Sequence, residues 1–325
     1  MNRRRFQGGL GALLGSTSLP VYGQSKDTPV VGVLIPATED QIRPHLAALR
    51  KGLADNGLVD GTSIRLVVRY ADTNFARLPD LARELKAEGS RVIIASGTTA
   101  VSATQRAVPD VPIVMAGSAD PVAMGFAQSL ARPGGHITGL SILGEELIGK
   151  QLQLFKETLP SARSFTAFLQ ATNPGNAVFR KAYHSAGKLL DMNIYTRDID
   201  AVEEFPAAFD WAVQQSNGAH IITDPLFDTH RHAIFQAALE RRLPTMCQNV
   251  PWTRAGAMLA YAPDLVDTWR QSARYVAQIL RGADPGTIPI EQPTAVQVAV
   301  NMRTARALGV QIPPSILARA DEVIE

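Results

Sequence analysis

The chain has 325 residues, of which 46% are apolar and 19% charged, with a formal net charge of +2 and one cysteine. This length favours two globular domains or one large one, and the apolar share excludes disorder as the main state. The single cysteine, Cys247, excludes an internal disulfide scaffold, and the chain has no run of 18 apolar residues that would indicate a multi-spanning membrane protein. A net charge this small gives no reason to expect a nucleic-acid partner.

Residues 1–23 have the layout of a secretory signal peptide. Three arginines, Arg3 to Arg5, precede a short, weakly apolar segment, and cleavage is expected after about Gly23. The arginines followed by Phe6 also resemble a twin-arginine signal, although Gln7 replaces the second apolar residue, so general secretion stays open. The segment is short for a membrane anchor, which is the weaker alternative. We therefore expect a periplasmic mature chain that is not inserted in the membrane.

Short apolar runs alternate with segments of helical period along the rest of the chain. Leu46, Leu49 and Leu53 illustrate the helical spacing. Strands that alternate with helices predict βαβ units and a mostly parallel sheet, and nearly continuous apolar runs indicate strands covered on both faces. In chain order, the predicted strands are Val30–Ile35, Ile64–Tyr70, Arg91–Ala95, Val111–Ala116, Phe165–Leu169, Asn193–Thr196, Ala219–Thr223 and Pro244–Gln248.

The series of units is interrupted near its middle. Eight units would also fit one large barrel, but Pro133-Gly134-Gly135 ends the first block, and a predicted helix over 145–159 leads into a second. We therefore predict two similar α/β lobes, residues 27–141 and 142–256. A predicted helix over 265–280 and a strand over 296–300 suggest that the tail recrosses, with part of 257–290 joining the first lobe and part of 291–325 the second.

Polar side chains follow several predicted strands, where open α/β sheets bind ligands. Asp120-Pro121 and Asp224-Pro225 each combine an N-cap residue with proline at the first helical position, so they predict helix starts. Their occurrence after matching strands of two lobes also suggests a cleft with facing polar groups. Simple helix capping remains the alternative at each position, and nearby Trp252 is expected to pack in the core. The candidate ligand-binding residues are Thr98, Thr99, Asp120, Asn173, Asn176, Asp224 and Asn249.

The motifs of common enzymes and metal sites are missing from the sequence. It contains no phosphate-binding P-loop, no Gly-x-Gly-x-x-Gly after a strand and no Gly-x-Ser-x-Gly elbow. Asp228, His230 and His232 are not expected to bind a metal, because residues two apart on a helix point in different directions. We expect no catalytic residue, no metal and no cofactor, and keep an enzyme on a similar scaffold as an alternative.

Ordered motifs along almost the whole mature chain resemble one family. The sequence is similar to the ABC-transporter substrate-binding proteins related to the tryptophan-binding type, a group of periplasmic binding proteins. It departs from the family at His136, where asparagine is usual, and at Val67-Val68-Arg69, where Glu-Tyr-Arg is usual. The matching segments include Gly57-Leu58-Val59-Asp60-Gly61, Arg77-Leu78-Pro79-Asp80-Leu81-Ala82, Gly97-Thr98-Thr99-Ala100, Arg132-Pro133-Gly134-Gly135-His136-Ile137-Thr138-Gly139 and Ile312-Pro313-Pro314.

The resemblance implies two Rossmann-like lobes of the type I periplasmic-binding kind that close on a ligand by hinge motion. It implies no catalysis, and it implies a membrane permease and a separate ATPase as partners. An α-amino acid would suit the candidate residues, with the hydroxyls of Thr98 and Thr99 and helix-start N–H groups at its carboxylate and Asp224 at its ammonium. A ligand-sensing subunit that docks on a membrane receptor is the alternative.

Overall fold

A computed structural model describes residues 28–142, 145–293 and 296–325. The predicted signal peptide, residues 1–23, lies outside the described residues. In the described ranges, no helix is both long and apolar enough to cross a membrane. The helices and strands alternate along the chain as follows: β1 Val30–Ile35, α1 Glu39–Asp55, β2 Arg65–Tyr70, α2 Leu78–Ala87, β3 Ser90–Ala95, α3 Gly97–Ala107, β4 Ile113–Ser118, β5 Ile137–Ser141, α4 Glu145–Thr158, β6 Ser164–Gln170, α5 Asn176–Leu190, β7 Asn193–Ile199, α6 Phe205–Gln215, β8 Ala219–Ile221, α7 Pro225–Thr229, α8 Arg231–Glu240, β9 Thr245–Cys247, β10 Leu259–Pro263, α9 Leu265–Leu280, β11 Val296–Asn301, α10 Met302–Leu308, α11 Pro314–Leu317 and β12 Glu322–Ile324.

The first lobe is built on a parallel sheet with the strand order β2-β1-β3-β4-β5. Its strands are buried on both faces, as β1 shows by having all six residues buried. One face packs against α2 and α3, and the other packs against α1 and α9. Because α1 and α3 cover opposite faces, a crevice forms where they diverge, at the carboxyl ends of β1 and β3.

The second lobe contains a sheet with the strand order β12-β11-β10-β9-β8-β6-β7. Five of its strands, β6 to β10, run parallel to one another, and β11 and β12 are parallel to each other but antiparallel to those five. Three phenylalanines on strands and helices, Phe155, Phe165 and Phe168, are fully buried in its core. The prediction of two α/β lobes with mostly parallel sheets is confirmed. The switch point of this sheet lies between β6 and β8, so the loops after these two strands form its crevice.

Three strands escaped the sequence analysis, namely β5, β10 and β12. β5 is the sequence Ile-Thr-Gly-Leu-Ser, and a side chain on its Gly139 would stand 2.5 Å from the backbone of Met115 in β4. The strand therefore needs a glycine that lowers its β-propensity. The helix predicted after Asp120-Pro121 is also wrong. The chain makes turns there, with Gly125 in the left-handed region (φ 70°).

Candidate functional site

A cavity of about 170 Å³ lies between the two lobes, at the carboxyl ends of both sheets. The first lobe contributes the loops after β1, β3 and β4, and the second contributes the loops after β6, β8 and β9. Both switch points therefore open into one space. Five of the seven candidate residues line it: Thr98, Thr99, Asn173, Asp224 and Asn249.

The N-terminus of α3 forms the polar end of the cavity in the first lobe. Gly97 has φ +75°, and this turns the chain sharply from β3 into the helix. The first four N–H groups of a helix have no intrahelical acceptor, and the side chain of the N-cap residue Ser96 does not accept from them. These donors and the partial positive charge of the helix end favour an anion such as a carboxylate.

The two threonines at this helix end have different surroundings. Thr98 is buried, and its hydroxyl oxygen accepts a hydrogen bond from the N–H of Ala119 at 2.9 Å, which ties α3 to the loop after β4. Thr99 is half-buried and lines the cavity. Thr98 thus joins the helix end to the loop after β4, and Thr99 is part of the cavity wall.

Asp224 and Asn173 face this helix end from the second lobe. Asp224 is the N-cap of α7, and one of its oxygens accepts from the N–H of Leu226 at 3.1 Å. The other oxygen accepts from the amide of Asn173 at 3.3 Å. Burial raises the pKa of Asp224 to about 6, and the hydrogen bonds from Leu226 and Asn173 oppose this rise only in part. A buried carboxylate with incomplete compensation is a site for a ligand cation.

The rest of the cavity wall is mainly apolar. Phe179 from α5 and Trp269 from α9 supply one aromatic ring from each lobe, and Ile42 and Leu147 add aliphatic surface. His45 of α1 packs edge-on against Trp269 at 5.8 Å. Desolvation lowers the pKa of His45, although Asp228 and Asp264 act in the opposite direction. An apolar pocket with a few convergent polar groups is the usual form of a small-molecule site.

A hydrogen bond between the lobes, which the sequence analysis missed, lies at the edge of this cavity. The side-chain amide nitrogen of Gln41 in α1 donates to Asp228 Oδ2 at 3.0 Å and to the carbonyl of Pro225 at 3.2 Å. Asp228 follows Asp224 by four residues, about one helical turn. This spacing could have indicated from the sequence that a second carboxylate lies on the same side of α7 as Asp224. The bridge joins α1 of the first lobe to α7 of the second.

Two candidate residues, Asp120 and Asn176, do not line the cavity in the described structure. The carboxylate of Asp120 accepts from the N–H groups of Val122 and Ala123 and so closes its own turn. The amide of Asn176 donates to the carbonyl of Gln170 at 2.9 Å and holds the start of α5. Both side chains therefore serve local structure, Asp120 by closing a turn and Asn176 by joining the start of α5 to the end of β6.

Trp252 packs in the core rather than in the cavity wall. Its ring is 1% exposed and lies 5.8 Å from the ring of Phe235. In the described ranges no group of three or more His, Cys, Asp or Glu side chains is placed to hold a metal ion. The cavity presents N–H donors for an anion, one buried carboxylate for a cation and an aromatic wall. These groups suit the binding of a small molecule that carries both charges.

Residues 30–324 match the family described as ABC transporter substrate binding protein. Among curated proteins, a tyrosine-binding protein of Clostridioides difficile is 24% identical over 272 residues, covering 82% of this chain and 78% of its own.

Solved structures share the fold over 91% of this chain. A conserved domain protein from Vibrio cholerae has 23% identity and a TM-score of 0.85, with 99% of its own chain covered. A Streptococcus pneumonia ABC domain in complex with L-Trp has 19% identity and a TM-score of 0.85, with 100% covered. The ligand-free, open structure of a substrate-binding protein with adhesive properties from Clostridium difficile has 19% identity and a TM-score of 0.67, with 99% covered. With the family match spanning nearly all of the described chain, the protein belongs to the ABC transporter substrate-binding proteins, a family of ligand-binding rather than catalytic proteins.

Proposed function

We propose that the protein is the periplasmic binding component of an ABC importer and that it binds an aromatic α-amino acid between its lobes. The observation that carries the proposal is the meeting of an uncapped helix N-terminus and a buried carboxylate, Asp224, in one small cavity between the lobes. The helix end suits the ligand carboxylate, and Asp224 suits the ligand ammonium.

The cavity wall and the relatives support the aromatic class. Phe179 and Trp269 offer ring surfaces to a ligand side chain. One relative is named for binding tyrosine, and one structure of this fold holds L-Trp. A dry cavity of about 150 Å³ accepts a benzene ring, so a cavity of about 170 Å³ is of the right order for a small aromatic ligand.

Closure of the two lobes by hinge motion is part of the proposal. The Gln41–Asp228 hydrogen bond joins the lobes and can form only when they are close together. The similarity to the L-Trp complex, at a TM-score of 0.85, exceeds that to the ligand-free, open structure, at 0.67. The hydrogen bond and the greater similarity to the L-Trp complex both support a closed arrangement of the lobes.

Export and transport partners complete the proposal. The N-terminal arginines and short apolar segment support secretion to the periplasm. Family membership supports a membrane permease and a separate ATPase as the partners that receive the ligand. In this scheme the protein delivers its amino acid to the permease and takes no part in ATP hydrolysis.

Thermal unfolding of the chain without residues 1–23 tests the proposed ligand. Each of the twenty L-amino acids is added in excess, because a ligand that binds only the native state stabilises it by about 2.7 kcal/mol at a concentration of 100 Kd. We expect tyrosine, tryptophan or phenylalanine to raise the melting temperature. The matched N-acetyl and amide derivatives, which block the ammonium and the carboxylate in turn, should give no shift. If no aromatic amino acid stabilises the protein, the proposed ligand class is wrong.

A further inference from the structure

Gln248 follows β9 and lines the ligand cavity beside Asn249. Gln248 is half-buried, and its amide nitrogen donates to the side-chain oxygen of Gln151 at 3.1 Å. Within the described ranges, no residue donates a hydrogen bond to the side-chain oxygen of Gln248. Since this oxygen is not among the unpartnered atoms that the protein shields completely, it is open to the adjoining cavity. Gln248 therefore brings an acceptor to the cavity wall that is left for another donor.

Two amides in series determine which way the side chain of Gln248 faces. Gln151 of α4 is fully buried, and its amide nitrogen donates to the backbone carbonyl of Tyr261 at 2.7 Å. Because a carbonyl can only accept, the oxygen of Gln151 must face away from Tyr261, toward Gln248. Gln248 must then present its nitrogen to Gln151, and its own oxygen stays unused by the protein.

The pairing of β8 with β9 places Gln248 beside Asp224. The two strands are neighbours in the sheet, with Ile221 paired to Cys247, so Asp224 and Gln248 follow adjacent strands at the same sheet edge. The hydroxyl of Thr223 donates to the backbone carbonyl of Gln248 at 2.8 Å, which joins the two loops next to Asp224. Neighbouring strands lie about 4.8 Å apart, so one small ligand group can contact the residues that follow both.

An ammonium bound at Asp224 has more donors than one carboxylate readily satisfies. A primary ammonium carries three N–H groups. Each oxygen of Asp224 already accepts one hydrogen bond, from the N–H of Leu226 or from the amide of Asn173. Asn173 follows β6, on the other side of β8, and its amide nitrogen adds a donor there rather than an acceptor. The oxygen of Gln248 supplies an acceptor on the β9 side.

We propose that the side-chain oxygen of Gln248 accepts a hydrogen bond from the ligand ammonium and that Gln151 is the positioning residue that holds it in place. This inference rests on the proposed function. Asp224 compensates the positive charge of the ammonium, and Gln248 accepts one of its N–H groups. The site thereby distinguishes a free amino group from a ligand that lacks this donor.

The variant Gln248→Met tests the contact with a side chain of nearly the same length that offers no oxygen acceptor. L-phenylalanine, L-tyrosine and L-tryptophan are each compared with the matched arylpropanoate, which has the same ring and carboxylate but no ammonium. Calorimetry measures the amino acids, and ligand-observed NMR measures the weaker arylpropanoates. We expect Gln248→Met to weaken binding of the amino acid by about tenfold or more and to leave the affinity for the arylpropanoate unchanged.

A double-mutant cycle tests the positioning role of Gln151. Gln151→Leu alone should weaken binding of the amino acid by about threefold or more, and it should have no further effect when Gln248→Met is already present. Equal effects in both backgrounds would show that Gln151 does not act through Gln248. Gln236→Met is the matched control, because it removes an exposed amide on α8 that donates to Glu240, and it should leave all affinities unchanged.

The possible failures are distinct from one another. If the unsubstituted protein binds none of the three amino acids, the proposed ligand class is wrong and this inference falls with it. If the unsubstituted protein binds one of them and Gln248→Met binds it as tightly, the contact is wrong while the proposed function stands. Equal losses for the amino acid and its arylpropanoate would place Gln248 against the ring or the carboxylate and would also overturn the assignment.

Discussion

Asp224 carries a cost in the closed arrangement that a bound ammonium would offset. Its side chain is 2% exposed, and burial raises its pKa to about 6 from an ordinary value of 3.8. Between these two values the native state keeps a proton that the unfolded chain releases, so stability falls as the pH rises through this range. Above about pH 6 the full cost is present, of the order of 3 kcal/mol for a shift of about two units.

The variant Asp224→Asn separates this cost from the binding role. Asparagine is also a good N-cap, so α7 keeps its start. Urea unfolding from pH 4 to 7 should show the unliganded variant gaining stability relative to the unsubstituted protein as the pH rises. Calorimetry at pH 7 should show its affinity for the amino acid reduced by about 2 kcal/mol or more. The affinity of the unsubstituted protein should itself fall below pH 6, because a proton competes with the ligand ammonium.

Asp120→Asn is the matched control for this variant. Asp120 also precedes a proline after a buried strand, but its carboxylate closes a local turn outside the cavity. We expect its substitution to leave ligand affinity unchanged. An Asp224→Asn protein that binds as tightly as the original would show that the ligand cation lies elsewhere.

At the scale of elements, the packing of α1 on α9 attaches residues 265–280 to the first lobe. The two helices meet at Gly52, where a Cβ atom would lie 2.2 Å from the carbonyl oxygen of Arg270 and 3.0 Å from Ala273. Glycine normally weakens a helix interior. Its presence here allows the helix backbones to approach each other.

Gly52→Ala is therefore expected to destabilise the protein despite the better helix propensity of alanine. The intrinsic gain of about 1 kcal/mol is outweighed by overpacking against a backbone atom, which costs about 1–3 kcal/mol or more. Gly149→Ala is the matched control, because Gly149 lies inside α4 and its Cβ would meet no atom within 4 Å. Chemical denaturation should show that Gly149→Ala raises the free energy of unfolding and Gly52→Ala lowers it. Equal effects of the two variants would contradict the close contact.

The helices and strands that the sequence predicted have clear patterns in their own residues, whereas those it missed depend on contacts with other parts of the fold. The helix over 265–280 and the long apolar strands have strong patterns of their own, and the structure has them at nearly the predicted positions. β12 has only three residues at a sheet edge, so its pairing with β11 depends on the surrounding fold. The Asp120-Pro121 signal was strong locally, but Gly125 turns the chain before a helix can form.

At the scale of the whole molecule, the sequence predicts the features of the candidate site that lie within one lobe, but not the contacts between the two lobes. The rule that ligands bind at strand ends made Thr99, Asn173 and Asp224 candidates, and all three line the cavity, because the rule depends on one sheet at a time. The Gln41–Asp228 bridge depends on how the two lobes approach each other. The spacing of Asp224 and Asp228 could indicate a second carboxylate at the site, but no local pattern shows that Gln41 of the other lobe contacts it.

Two of the three connections between the lobes lie side by side. The chain passes from one sheet to the other after β5, between β10 and α9, and again after residue 290. Backbone hydrogen bonds join Glu291 to Gly139 at 3.1 Å and to Ser141 at 2.9 Å, next to two of these passages. Each lobe has its own core, which agrees with the proposed hinge motion of the lobes as rigid bodies.

Ligand binding is therefore expected to make the whole molecule more compact. A ligand that contacts both lobes favours the closed arrangement by its extra affinity for that state. Small-angle X-ray scattering should show a smaller radius of gyration when the most stabilising amino acid is added at saturation. At an amino-acid concentration that fills the unsubstituted protein but leaves Asp224→Asn unbound, the radius of gyration of the variant should stay unchanged. Calorimetrically confirmed binding without any change in radius would show that the lobes are already closed or do not move.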